Sequence, residues 1–139
     1  GAFLMTQKVA DMSLVPGDHG TTYGGNPFVG AAVSAVFDEF EKLSLTEHVK
    51  ELTPYFEACL DKLVDKYDCL VTRRGKGFIQ GIECTLPVGQ VAAKAIEKGL
   101  IVITAGSNVI RFVPPLVIEK ADIDEMIQKL SATLDEIIK

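Results

Sequence analysis

Apolar positions along the chain fall into blocks of differing period. The first clear block opens at Asn26-Pro27, an amide cap followed by a ring that presets φ and lacks an N–H the first helical position does not use. From residue 28 to 43, Phe28, Val29, Ala31, Ala32, Val33, Ala35, Val36, Phe37 and Phe40 occupy nearly every face of the predicted helix, so it is expected to be buried in something substantial. Little in residues 1–19 looks able to cover it, which points to further chain or a partner subunit.

At "SLTE" the pattern changes. Ser44 and Glu47 predict a capping box, and Leu45, Val49, Leu52, Phe56, Leu60, Leu63 and Tyr67 then recur every three or four residues. Glu47, Lys50, Glu57, Asp61, Lys62 and Asp65 take the other face, as in an amphipathic surface helix, which Pro54 is expected to kink or split. Residues 69–74 and 76–86 predict strands flanking Gly75, and residues 88–98 a short helix closed by Gly99. Residues 100–104 and 108–113 predict two strands joined through Ala105-Gly106-Ser107, with Pro114-Pro115 ending the second. From Lys120 onward, Ile123, Met126, Ile127, Leu130, Leu134, Ile137 and Ile138 mark a last amphipathic helix. The order β, β, α, β, β, α implies a small α+β sandwich with helices over one sheet face. The expected domain boundary lies near Ser44, separating residues 1–44 from residues 45–139.

Composition narrows the function classes. At 139 residues, 47% hydrophobic and 24% charged, the chain has the balance of a folded protein. A net charge of −5 without a basic stripe argues against nucleic acid as a partner. Cys59, Cys69 and Cys84 have neither CxxC spacing nor a histidine nearby in sequence, which argues against a disulfide framework or a metal site and fits a reducing compartment. No apolar run is long enough to suggest a membrane span. The opening "GAFLM" reads as a buried strand end, so the chain is expected to be cut from something longer.

Two places could carry chemistry. "RGKG" at residues 74–77 resembles a nucleotide loop but fails both phosphate motifs. A Walker loop needs Ser or Thr where Gly77 stands and glycine where Leu70 stands, and the third dinucleotide glycine would come one residue before Gly81. Gly75 and Gly77 are therefore expected to be turn or bulge residues between strands. "GTTYGGNP" is different: Thr21 and Thr22 offer hydroxyls, Gly24 and Gly25 let the backbone approach a ligand, and a capped helix start follows. On physics alone a phosphate wall and a flexible loop before an Asn-Pro cap are equally supported. Arg111, inside Val109-Ile110-Arg111-Phe112-Val113, is expected opposite Ile110 and Phe112, either as an edge-strand arginine in solvent or as a guanidinium fork aimed at a carboxylate. His48 is expected on the solvated face of its helix, and His19 in a loop or a site.

Three motifs in order, "GDHGTTYGGNP" before an alanine- and valine-rich helix, "RGKGFIQGIE", and "GLIVITAGSNVIRFVPPLVI", resemble the C-terminal part of the class III pyridoxal-phosphate aminotransferases over the whole chain. The resemblance implies the small C-terminal α+β domain of a fold type I pyridoxal-phosphate enzyme, with a helical remnant of the large domain in residues 1–44. It implies that Thr22 contacts the phosphate of pyridoxal 5'-phosphate, across a homodimer interface in the partner's site, and that Thr21 lies against the substrate. It implies that Arg111 handles the substrate carboxylate, balanced by a glutamate elsewhere in the chain. The implied reaction moves an amino group from N2-acetylornithine to 2-oxoglutarate in cytoplasmic arginine biosynthesis. Ornithine, succinylornithine and 4-aminobutyrate are the alternative donors. The lysine that carries the cofactor, the aspartate for its ring nitrogen and the stacking aromatic have no match here, so no catalytic residue is assigned and the chain alone is expected to be inactive. A stand-alone dimerisation or interaction module is the alternative of a different class.

Overall fold

The structure is a computed structural model and describes residues 4–138. The chain divides into two compact units, Gly1–Lys42 and Leu43–Lys139. Gly1–Phe3, part of the expected strand end, lie outside the described residues; Leu4 and Met5 are exposed and carry no strand.

In the first unit a short helix, α1 (Gln7–Ser13), starts at Thr6, whose hydroxyl accepts from the Val9 N–H at 3.4 Å. The hydrophobic pattern gives no hint of it. The second helix, α2 (Pro27–Lys42), begins as expected: the Asn26 side-chain oxygen accepts from the N–H groups of Phe28 and Val29 at 2.9 and 3.4 Å. Burial does not follow the expectation, since α2 buries none of its residues. A helix apolar on most faces needs neighbours all round, and the seven-residue α1 with its connecting loop is too small to supply them.

The second unit is built on α3 (Leu45–Lys66), α4 (Val88–Glu97) and α5 (Lys120–Ile137) against a four-stranded antiparallel sheet. Its strands are β1 (Leu70–Lys76), β2 (Ile79–Cys84), β3 (Ile103–Ala105) and β4 (Val109–Phe112), in the spatial order β1-β2-β4-β3. The alternation predicted along the strands sorts the faces. Gln80, Ile82 and Cys84 of β2 and Ile110 and Phe112 of β4 are buried, with Phe56, Leu60, Leu63, Val91, Ala95, Ile123, Leu130 and Leu134 from the helices. The α+β expectation therefore holds, including helices that supply the core for one sheet face.

Local details depart from the sequence reading. Ser44 adopts a left-handed conformation (φ 48°) and its side chain caps nothing, while Glu47 pairs with Lys50 at 3.6 Å; the expected capping box does not form. A carboxylate one turn from the start of a helix serves instead at α5, where Asp122 Oδ2 accepts from the Glu119 N–H at 2.8 Å. Pro54 does not split α3, which runs unbroken through it. Gly75 is no turn residue either. It lies inside β1, where a side chain would strike the Ile79 carbonyl and sit 2.5 Å from Gln80 Oε1; the turn falls to Gly77 (φ +58°). Both strands of the second hairpin are shorter than expected. His48 is half-buried, its Nε2 within 2.8 Å of the Ile118 carbonyl and its ring edge-on to Phe78, so it ties α3 to the approach to α5 instead of facing water.

One polar cluster, running from the buried Gln80 out to the exposed Asp61, fixes the β1–β2 hairpin to α3. Arg73 grips Asp61 through Nε and Nη2 at 2.7 and 3.1 Å and reaches Glu57 and Gln80 through Nη1 at 3.2 and 3.1 Å. Gln80, fully buried, donates to Glu57 Oε1 at 3.2 Å and to the Gly77 carbonyl at 2.7 Å, so none of its polar atoms is left unmet.

A second ion cluster links α4 to α5. Glu136 takes Lys94 and Lys98, each at 2.5 Å, and these two ammonium groups hold its carboxyl down at about 2. A carboxyl depressed in the folded state contributes stability above its unfolded value and loses it as pH falls through the folded one. Stability owed to Glu136 is thus expected to fade between its ordinary value of 4.5 and about 2. Unfolding midpoints of the parent and Glu136→Gln measured across that range should converge toward the acid end; parallel curves would contradict the assignment.

Candidate functional site

Arg111 stands on the sheet face away from the helices. Its neighbours Ile110 and Phe112 enter the core, and a period of two turns Arg111 outward, where it is exposed. β4 is an interior strand, paired on both sides, so the edge-strand alternative falls. In register, Arg111 lies across from Gly81 on one side and Ile103 on the other. Its guanidinium has no hydrogen bond or ion pair among the described residues.

On one flank Arg111 borders an apolar groove that includes Ile103, Val113, Pro114, Pro115 and Met126. On the other it borders a trough over the helix-free sheet face. A guanidinium between an apolar wall and open space is suited to a molecule with a carboxylate on a carbon chain. The fork matches the two carboxylate oxygens, and the apolar wall takes the methylenes.

Thr21 and Thr22 belong to the first unit, in the loop between α1 and α2. The Gly24 N–H donates to the Thr21 carbonyl and the Asn26 N–H to the Tyr23 carbonyl, both at 3.3 Å, forming a tight turn into α2. Both threonines are exposed, and no described residue hydrogen-bonds the Thr22 hydroxyl. The first N–H groups of α2 are taken by Asn26, so what they offer an anion is the helix dipole and not free donors. The loop thus presents a hydroxyl donor beside the positive end of a helix, a donor set that fits the phosphate of pyridoxal 5'-phosphate. His19 lies in the same loop.

The three residues singled out from sequence are divided between units: Thr21 and Thr22 in one, Arg111 in the other. Sequence reasoning tested Arg74 and Gly81 only as parts of failed phosphate motifs. Their place in the cross-strand row of Arg111 becomes visible once β1, β2 and β4 are in register. Among the described residues no group of His, Cys, Asp and Glu is placed to hold a metal ion, and no helix is long and apolar enough to cross a membrane.

Known proteins place this arrangement in a family. The acetylornithine aminotransferase of Caldanaerobacter subterraneus subsp. tengcongensis is 42% identical over 123 residues, which are 88% of this chain and 31% of that protein. That of Methanocaldococcus jannaschii is 36% identical over 100% of this chain and 35% of its own length. Among solved structures, the acetylornithine aminotransferase from Elizabethkingia anophelis matches with a TM-score of 0.79 and 30% identity over 88% of this chain and 33% of that one. Plasmodium falciparum ornithine delta-aminotransferase matches with a TM-score of 0.80 and 30% identity, over 88% and 32%. The chain thus spans about a third of the length of the relatives it matches. A family model described as aminotransferase class-III matches residues 1–134, and the chain belongs to that family.

Proposed function

We propose that the whole protein is a pyridoxal-phosphate-dependent acetylornithine aminotransferase. It would move an amino group from N2-acetylornithine to 2-oxoglutarate, yielding N-acetylglutamate semialdehyde and glutamate, as a cytoplasmic homodimer serving arginine biosynthesis. The observation that carries this reading is Arg111, a guanidinium without a partner among the described residues, between an apolar groove and the helix-free sheet face, in a chain whose relatives bear that name.

The cofactor, when bound, supplies the electron sink for amino-group transfer. This chain's residues would bind and orient. Arg111 takes the carboxylate of each substrate in turn, fixing which carbon faces the cofactor. Thr22 donates its hydroxyl to the cofactor phosphate in the partner's site, and Thr21 lines the substrate space there. The apolar helix α2, which buries nothing in these residues, would be covered by the rest of the dimer. No lysine here matches the one that carries the cofactor, so residues 1–139 alone are proposed not to turn over.

The test compares amino donors on the full-length, cofactor-loaded enzyme with 2-oxoglutarate as acceptor. N2-acetylornithine is expected to exceed ornithine in kcat/KM by about tenfold or more, the scale on which a pocket separates substrates differing by one polar group. Equal or reversed values would move the assignment to an ornithine aminotransferase. In the same enzyme Thr22→Val, which removes a hydroxyl at nearly constant shape, is expected to raise the dissociation constant of pyridoxal phosphate by about tenfold. Unchanged retention would remove Thr22 from the phosphate site.

A further inference from the structure

His48 stands near the start of α3, half-buried, with its Nε2 2.8 Å from the Ile118 carbonyl oxygen. A carbonyl only accepts, so Nε2 carries the proton and donates it, in the neutral ring and the charged one alike. The proposed reaction makes no use of this residue. Both of its contacts nevertheless lead to the groove beside Arg111.

The first contact leads to the outer wall of that groove. Residues 113–119 belong to no helix or strand, and Pro114, Pro115 and Ile118 among them line the groove. Little within this stretch fixes it in place. The two prolines bring no N–H of their own. The Ile118 N–H donates to the Pro115 carbonyl at 3.3 Å, which closes a turn without anchoring it, and the Glu119 N–H is taken by Asp122 in the cap of α5. His48 supplies a tether from outside, a donor on α3 that holds a carbonyl 70 residues later.

The second contact leads to the inner wall. The His48 ring meets Phe78 edge-on at 6.2 Å, Phe78 meets Phe56 at 6.2 Å, and Phe56 meets Phe112 at 6.3 Å. The three phenylalanines are buried, Phe56 and Phe112 line the groove, and Phe112 directly follows Arg111 in β4. Edge-to-face contacts of this kind fix the orientation of each ring against the next. His48 is the outer end of that row, and the same imidazole is hydrogen-bonded to the segment opposite.

We propose that His48 is a positioning residue, holding residues 114–118 in place as the wall of the groove so that the carbon chain of a substrate meets a preformed surface beside Arg111. This rests on the reading of the Arg111 groove as substrate space and adds the residue that fixes its wall. His48 acts through Ile118 and Phe78 and not on the reacting atoms. Its effect therefore belongs to binding, where a wall already in place spares the substrate the cost of ordering it.

The test uses the full-length, cofactor-loaded enzyme. His48→Leu keeps a bulky, helix-forming side chain and removes the donor. It is expected to speed amide hydrogen exchange in residues 116–118 and to raise KM for 2-oxoglutarate about three- to tenfold, the loss of one hydrogen bond. The kcat should stay within about twofold, since a wall serves bound and reacting substrate alike. His48→Gln offers an amide N–H to the same carbonyl and should return both readouts toward the parent. Tyr67→Phe is the control. It removes another α3–α5 tether, the Tyr67 hydroxyl to Asp135 at 2.8 Å, at a residue that does not line the groove, and should leave KM unchanged. Unchanged exchange in His48→Leu, a His48→Gln as impaired as His48→Leu, or an equal rise of KM in Tyr67→Phe would overturn the positioning role. An unchanged KM in His48→Leu beside a raised KM in Arg111→Gln would overturn it too. An unchanged KM in Arg111→Gln would instead overturn the reading of the groove on which this one rests, a failure visible in that variant alone.

Discussion

The full-length enzyme carrying Arg111→Gln is expected to lose about 10²–10⁴-fold in kcat/KM toward 2-oxoglutarate, the cost of two charge-assisted hydrogen bonds at roughly 1.5–3 kcal/mol each. Glutamine keeps a planar polar tip of smaller reach and carries no charge, so the bidentate match goes with the guanidinium. The loss should appear mainly in KM, because Arg111 binds a carboxylate that remains a carboxylate throughout the reaction. In residues 1–139 alone the same change should leave the thermal midpoint with the parent, since Arg111 has no partner among the described residues to lose. Steady-state kinetics on both substrates, with the midpoint measured in parallel, decide the matter. A drop in kcat at constant KM would mean that Arg111 acts on the reacting atoms, and a kcat/KM within about twofold of the parent would remove it from the site.

Phe56→Ala is expected to destabilise the second unit by about 3–5 kcal/mol, the usual cost of emptying a sealed aromatic site. Phe56 is 0% exposed and stands edge-on to Phe78 at 6.2 Å and to Phe112 at 6.3 Å, joining α3 to β4 and to the turn between β1 and β2. Deleting the ring removes transfer energy, leaves a cavity and breaks both edge-to-face contacts. Against a typical total of about 5–15 kcal/mol, this is a large fraction. Ile101→Ser, at a position 84% exposed, should change stability by about 0.5 kcal/mol or less and serves as the control. Urea unfolding of both variants is the measurement. A Phe56→Ala shift below about 1 kcal/mol would mean the surrounding side chains collapse into the vacated space.

Much of the fold was legible because its signals are local. Asn26 before Pro27, the three- and four-residue recurrence from Leu45 to Tyr67 and the outward place of Arg111 each follow from backbone period and cap chemistry, which need no distant partner. The errors share a cause. Ser44 and Glu47 have the right spacing for a cap, but Ser44 adopts a left-handed backbone conformation, in which its hydroxyl caps none of the N–H groups it was expected to meet. Gly75 looked like a turn because glycine often is one, whereas its smallness serves a close approach to Ile79 and Gln80 from the neighbouring strand. His48 was placed in solvent from its own helix face, and a carbonyl 70 residues later draws it in.

Sequence alone determined the places of α2 to α5 and the order of the strands among them, which residues of β4 face inward and which family motifs the chain carries, since side-chain period and local hydrogen bonding act over a few residues. Only the tertiary structure decided that β4 is an interior strand, that Arg73 is consumed by Asp61 while Arg74 has no partner among the described residues, and that Arg74, Gly81 and Arg111 share a row. Those facts depend on strand order and register, which are set by how the apolar faces of separate elements seal together and not by any stretch of chain read singly.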